Sequence, residues 1–242
     1  AAVGVNLIVE KPLESLMTNI RGTETVVEKA HKYNKRILVT STSEIYGKNT
    51  SDSLSEDDDR ILGSPLKSRW SYSEAKAIDE ILAYTYWREK GLETVIVRLF
   101  NTVGPRQTGS YGMVVPRFVS QALRNEAITV FGDGAQTRCF CYVGDVVSGL
   151  VALSEHPEAF GKVFNLGGVE EISISDLATR VIERSGSSSE VEFIPYDVAY
   201  EEGFEDMERR VPNNSRAREL VGFAPTASLD DIIDQVIADQ KK

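Results

Sequence analysis

The chain reads as an α/β protein with a doubly wound parallel sheet. Helix and strand patterns alternate through its first half, the strands are apolar throughout, and polar residues cluster just past their C-terminal ends. Strands hydrophobic on both faces belong in a sheet covered by helices on both sides. The elements follow in order. Leu13, Leu16, Met17, Ile20, Val26, Val27 and Ala30 recur at helical spacing across residues 12–32, and Arg36 to Ser41 then reads as a short buried strand. After a loop rich in Ser and Asp, the pattern predicts a helix over Ser71–Lys90 and a β-branched strand over Leu92–Phe100.

Beyond Gly104-Pro105 the pattern is mixed. It predicts helices near Pro116–Arg124, Asp145–Ser154, Ser175–Ser185, Ser215–Leu220 and Leu229–Lys242, with strands near Ile128–Phe131, Arg138–Val143, Val163–Gly168 and Glu190–Ile194. No internal repeat or low-complexity tract interrupts it.

With 242 residues and 41% hydrophobic content, the chain has enough apolar material for a sizeable core. Lys and Arg total 27 against 37 acidic residues, and the net charge of -10 argues against a general binder of nucleic acid or anionic membranes. No segment has the length of an apolar membrane span or the form of a secretion signal, so a cytoplasmic location is expected. Cys139 and Cys141 read as free thiols, and His31 and His156 as surface residues at helix ends. Asp57-Asp58-Asp59 reads as a solvated loop, and no metal site is expected.

Tyr72 and Lys76 carry the chemistry. On a helix their four-residue spacing puts the phenol and the ammonium on one face, where the cation lowers the phenol's pKa and suits it to proton exchange with an alcohol or ketone. Thr40-Ser-Thr-Ser-Glu-Ile-Tyr-Gly47 supplies a second polar cluster at the end of the first strand. Thr42 to Glu44, with Asn101 just past the second strand, sit where open α/β sheets bind ligands.

Together with Asn19 to Thr23, Arg98 to Arg106, Gly132 to Arg138, Tyr142 to Asp145, Asn165 to Gly168 and Arg210-Val-Pro212, these segments resemble the extended short-chain dehydrogenase/reductase family. The likeness is to its NAD-dependent nucleotide-sugar epimerases, dehydratases and decarboxylases, and it runs from Ala1 to about Pro225. The resemblance implies a Rossmann-like domain from residues 1–106 and about 138–168, and a smaller mixed α/β domain that binds the nucleotide sugar from about 107–137 and 169–242. It implies that Thr42 bonds the sugar's reacting oxygen, that Tyr72 is the acid/base, and that Lys76 lowers the tyrosine's pKa while holding the ribose of NAD. It also implies that Asn101 and Arg138 meet the nucleotide diphosphate, that Val130 and Phe131 lie near the base, that the substrate is a UDP-sugar, and that the protein is a homodimer.

The family's enzymes oxidise a sugar hydroxyl with NAD and then act on the ketone. In its dTDP-glucose 4,6-dehydratases the threonine is followed by Asp-Glu, whereas here it is followed by Ser43-Glu44, which argues against dehydration. Thr-Ser-Glu with Arg210 before Val-Pro is similar to the UDP-glucuronate decarboxylases, which would have Glu44 and Arg210 handle the carboxylate and Ser43 assist proton transfer. A UDP-glucose 4-epimerase needs only Thr42, Tyr72 and Lys76, so both readings stand. The family opens with a strand, a glycine-rich turn and a helix that hold the NAD pyrophosphate. Gly104, Gly109, Gly112, Gly132 and Gly134 do not supply that turn, and Ala1 to Gly4 resembles the end of the family's fourth strand. The first domain is therefore expected to be N-terminally truncated. If the chain acts as it stands, Ile37–Thr40 and Val95–Leu99 are expected to form an exposed apolar edge, and a non-catalytic nucleotide-sugar-binding module is the alternative.

Overall fold

The computed structural model describes residues 11–109, 113–199 and 207–242. Ala1 to Gly4 and Gly112 lie outside the described residues. Helix α1 (Pro12–Lys32) opens on a proline in its first turn with Glu14 beside it and closes on Lys29, His31 and Lys32, a charge order that complements the helix dipole. Strand β1 (Ile37–Thr42) follows. The connection to helix α2 (Ser71–Lys90) contains one 3-10 turn at Ser43–Tyr46 and another at Ser68–Trp70. Gly91, in the left-handed conformation at φ 69°, ends α2 by returning its N–H to the last turn.

Strand β2 (Thr94–Leu99) pairs in parallel with β1, from Ile37 opposite Thr94 to Thr42 opposite Leu99. On its other edge it pairs in parallel with β6 (Lys162–Leu166). The sheet order β1-β2-β6 is the parallel arrangement expected. Successive residues of β2 serve opposite faces. Val95 and Val97 pack with Val146 and Leu153 of helix α4 (Val143–Glu155), and with Ala217 and Phe223 in and beyond α7 (Ser215–Val221). Ile96 packs with Val39 and with Ala83 of α2. Helices thus cover both faces, as the apolar strands require.

The strand expected over Leu92–Phe100 is interrupted at Phe100, whose N–H goes to Leu166 at 3.0 Å. The chain re-pairs one residue later as β3 (Asn101–Val103), parallel to β5 (Thr137–Tyr142). Asn101 therefore starts a strand. Val95 to Val97 are buried between their neighbours and form no exposed edge. β1 has one paired edge among the described residues, with Val39 buried, Ile37 and Leu38 half-buried and Thr40 exposed.

The second apolar cluster lies around helices α3 (Val114–Leu123), α5 (Ile174–Ser185) and α8 (Leu229–Gln240), where Phe118, Leu177 and Ile232 are fully buried. Strand β4 (Ile128–Phe131) pairs in parallel with β8 (Val191–Ile194), and β7 (Glu171–Ser173) pairs antiparallel with β5. The sequence pattern missed β7, β3 and the one-turn helix α6 (Tyr196–Ala199) because each is too short to show a period. Among the described residues no helix is long and apolar enough to cross a membrane.

Candidate active site

β1 delivers Thr42 to the end of the sheet. Its hydroxyl accepts the main-chain N–H of Glu44 at 3.2 Å, which caps the turn that carries Ser43 and Glu44 away from the strand. Tyr72 sits in the first turn of α2, close enough to Thr42 for the threonine side chain to act on its phenol, so the two residues singled out by sequence lie together. Lys76 lies one turn further along.

The expected effect of Lys76 on Tyr72 is not what this arrangement gives. The Lys76 ammonium is held by Asp79 at 2.6 Å, with 4% and 0% of the two side chains exposed, so the lysine's charge is spent on its own helix. The Tyr72 phenol is pushed well above its ordinary value, first by burial and then by the negative charges of Glu44 and Asp79, with the Thr42 hydrogen bond acting the other way. At neutral pH Tyr72 is a proton donor.

Glu44 anchors a second group of polar side chains. Its Oε2 accepts from Arg69 Nη1 at 2.6 Å, while its Oε1 lies 3.7 Å from Arg210 Nη1. Arg210 also reaches the Ser43 hydroxyl at 3.5 Å and donates through Nη2 to Asn101 Oδ1 at 2.9 Å. The Asn101 amide in turn donates to the Cys139 carbonyl at 3.0 Å, which fixes the asparagine on β5. Arg210 is 167 residues from Ser43 and 109 from Asn101 in sequence, and the fold brings all three together with Glu44, the residue next to Ser43.

The other expected ligand residues have partners of their own. Arg138 is buried and donates to the carbonyls of Thr137 at 2.8 Å and Glu208 at 3.3 Å. Val130 points into the second apolar cluster with 0% exposure, so its side chain is a core residue and only its main chain is left for a base. Phe131 is half-buried, with the Arg117 guanidinium 4.5 Å from its ring centroid. Cys139 and Cys141 are buried free thiols in β5. Among the described residues no group of three or more His, Cys, Asp or Glu is arranged to hold a metal ion.

A buried polar frame supports the site from below. Arg98 of β2 grips Glu80 of α2 through two hydrogen bonds of 3.0 and 2.8 Å, and donates to the Tyr46 hydroxyl at 3.0 Å. Tyr46 in turn donates a hydrogen bond to Asn165 Oδ1 at 2.8 Å, and burial pushes its phenol up to about 12, so it stays a neutral donor. Glu56 accepts the Asn165 main-chain N–H at 2.8 Å and closes the frame. Sequence reasoning overlooked Arg69 and Asp79. Each lies three residues from a residue it had singled out, Arg69 before Tyr72 and Asp79 after Lys76, and the second spacing is one that brings side chains together on a helix.

The sequence matches the NAD dependent epimerase/dehydratase family over residues 1–167. A UDP-N-acetyl-alpha-D-glucosaminuronate decarboxylase of Bacillus cytotoxicus is 38% identical over 238 residues, covering 98% of this chain and 73% of the relative. The UDP-glucuronic acid decarboxylase 1 of Xenopus tropicalis is 36% identical over 228 residues, and the match spans 93% of this chain but only 52% of that protein. Among solved structures, UDP-glucuronic acid 4-epimerase from Bacillus cereus, in complex with UDP-glucuronic acid and NAD, superimposes with a TM-score of 0.87 at 30% identity, covering 100% of this chain and 73% of that one.

Proposed function

Because the chain belongs to the NAD dependent epimerase/dehydratase family, we propose that it serves an enzyme that decarboxylates a UDP-linked uronic acid through a transient 4-keto sugar. The observation that carries this reading is Glu44 held between Arg69 and Arg210 beside the Thr42–Tyr72 pair. Such a cluster is surplus to a neutral hexose.

In this proposal Tyr72 and Thr42 face the sugar's 4-hydroxyl. The protonated phenol is the form that returns a proton to the ketone, and taking the proton in the forward direction calls for Lys76 to swing from Asp79 toward Tyr72 and offset the nearby anions. An ammonium and a phenol one helical turn apart are the donor set that a ribose diol requires, so Tyr72 and Lys76 fit the nicotinamide end of NAD. When bound, NAD supplies the hydride acceptor for the oxidation of the sugar carbon. Once the 4-ketone exists, the carboxylate on C5 is that of a β-keto acid. The bond from C5 to the carboxyl carbon breaks, carbon dioxide leaves, and the electron pair becomes an enolate whose oxygen lies with Thr42 and Tyr72. Arg210 meets the carboxylate, Glu44 and Ser43 govern the proton delivered to C5, and Asn101 and Arg138 keep the role of diphosphate ligands with Phe131 near the base.

A UDP-uronate 4-epimerase is the second reading, favoured by the likeness to the Bacillus cereus enzyme. Full-length enzyme given NAD and UDP-glucuronate should release carbon dioxide, and Glu44→Gln should lower that turnover by about 10²-fold or more. A 4-epimer formed without carbon dioxide, at a rate that Glu44→Gln leaves intact, would replace the first reading by the second.

The domain division is proposed as residues 1–106 and about 138–168 for the sheet domain and about 107–137 and 169–242 for the sugar-binding domain; the two apolar clusters cross it, with Ala217 and Phe223 packed on the sheet and Val103 and Phe140 in the second cluster. We place the reaction in the cytoplasm, in a homodimer formed through α1 and α2. Leu13 and Val26 on α1 and Ile78, Ile81 and Tyr84 on α2 expose large apolar side chains in support of that contact.

A further inference from the structure

We propose that Arg69 is a positioning residue for the second chemical step, acting through Glu44. The inference rests on the decarboxylase reading above and adds a residue to it. Arg69 lies in the 3-10 turn immediately before α2, so the element that delivers it also delivers Tyr72 three residues later. Its guanidinium is buried, with 5% of the side chain exposed, and it meets Glu44 Oε2 at 2.6 Å. Arg210 approaches the same carboxylate only to 3.7 Å, and its Nη2 is engaged by Asn101 at 2.9 Å. The two arginines therefore divide the work. Arg69 holds Glu44, and Arg210 is tied to it loosely enough to turn toward a ligand without carrying Glu44 along.

The geometry gives the arrangement a purpose. Glu44 hangs from a one-turn 3-10 helix whose start is fixed by Thr42, and without a firm partner its carboxylate would close on Arg210, the nearer remaining cation. Among the described residues, the charged and titratable groups seen to face Glu44 include Arg69 from the turn before α2, Arg210 from the C-terminal part of the chain, and Tyr72 from α2 itself. Arg69 is the nearest cation of that set and keeps Glu44 aimed, and a cation at this distance favours the charged form of a carboxylate. A carboxylate that moves by about 1 Å from its working position costs a reaction roughly 10²-fold.

The test is a double-mutant cycle in the full-length, NAD-loaded enzyme, with carbon dioxide release from UDP-glucuronate as the readout. Arg69→Met should lower kcat by about 10²-fold with a smaller change in KM. It should also move the acid limb of the pH profile to higher pH, and Arg69→Lys should recover part of both. In a Glu44→Gln background the same Arg69→Met change should cost less than about threefold, because residues that act through one another do not add. An undiminished loss in the Glu44→Gln background, or a lower melting temperature with an unmoved pH profile, would make Arg69 a structural brace only and overturn the proposal. If Arg69→Met fails to fold, Arg69→Lys with and without Glu44→Gln decides the same question. Full turnover in the Glu44→Gln enzyme would instead refute the decarboxylase reading itself.

Discussion

Replacing Asp79 by Asn removes one charge from the pair beneath Tyr72 with almost no change in volume. The Lys76–Asp79 contact is 2.6 Å long, and the two side chains are 4% and 0% exposed. Leaving either member of such a pair without its partner strands a charge in a place water does not reach, at a cost of about 3–5 kcal/mol. The same i,i+3 spacing at Lys11 and Glu14 has side chains 61% and 63% exposed, and removing that pair should cost under about 1 kcal/mol. Burial decides between the two values. Asp79 Oδ1 is itself buried and, among the described residues, has no hydrogen-bond partner, so Asn brings no compensating bond at that atom.

The assay is urea unfolding followed by tryptophan fluorescence, for which buried Trp70 next to Arg69 is a suitable reporter. Asp79→Asn should lower the unfolding free energy by about 3 kcal/mol or more, and the Lys11→Ala control should stay within about 1 kcal/mol of the parent. Joint replacement by Lys76→Met and Asp79→Leu should restore most of the loss, since a buried pair exchanged for apolar side chains is often neutral. A loss below about 1 kcal/mol for Asp79→Asn would refute the claim that Lys76 is committed to Asp79, and would return the lysine to the phenol.

Two further outcomes follow from burial. Cys139 and Cys141 are pushed from 9.0 up to about 12, in both cases mainly by desolvation. Below pH 9 folded and unfolded thiols are alike protonated, whereas between the two values only the unfolded thiols ionise. Stability should therefore fall with rising pH by about 1.4 kcal/mol per thiol per pH unit at most. Replacing both by Ala should flatten that decline in alkaline denaturation series, and an unchanged slope would show the thiols are not its source. Ile81→Glu places a charge in the apolar patch of α2, where Ile81 is 62% exposed, and should convert a dimer to a monomer by light scattering without lowering the melting temperature. A dimer that survives it excludes this face.

The alternation of helices with apolar strands made the central sheet legible, and the four-residue step from Tyr72 to Lys76 placed both on one helix face before any geometry was known. The interruption at Phe100 was not legible. A run of β-branched residues states that a segment is extended but not which neighbour it pairs with, and here Phe100 hands the chain from the β1-β2-β6 sheet to β5 within one residue. Val130 shows a related limit. Strand periodicity says that Thr129 and Val130 face opposite ways, yet only the packing of α3 and α5 decides that Val130 faces inward.

The partner of an ion is harder to read than the place of an element, because helix spacing permits several partners and selects none. Lys76 has Tyr72 four residues before it and Asp79 three residues after it, both within reach on one helix. In water the choice would matter little. Inside the protein each unpaired charge is expensive, so the ammonium goes to the carboxylate, and the phenol keeps its proton through burial first and the two nearby anions second. Burial acts first on Tyr72, Glu44 and Asp79 add to it, and Glu44 is held by Arg69, which sits at no motif position. A substitution at Asp79 or Arg69 should alter proton transfer at Tyr72 or Glu44 while leaving the Tyr-x-x-x-Lys and Thr-Ser-Glu patterns intact, and comparing those patterns alone would miss the difference.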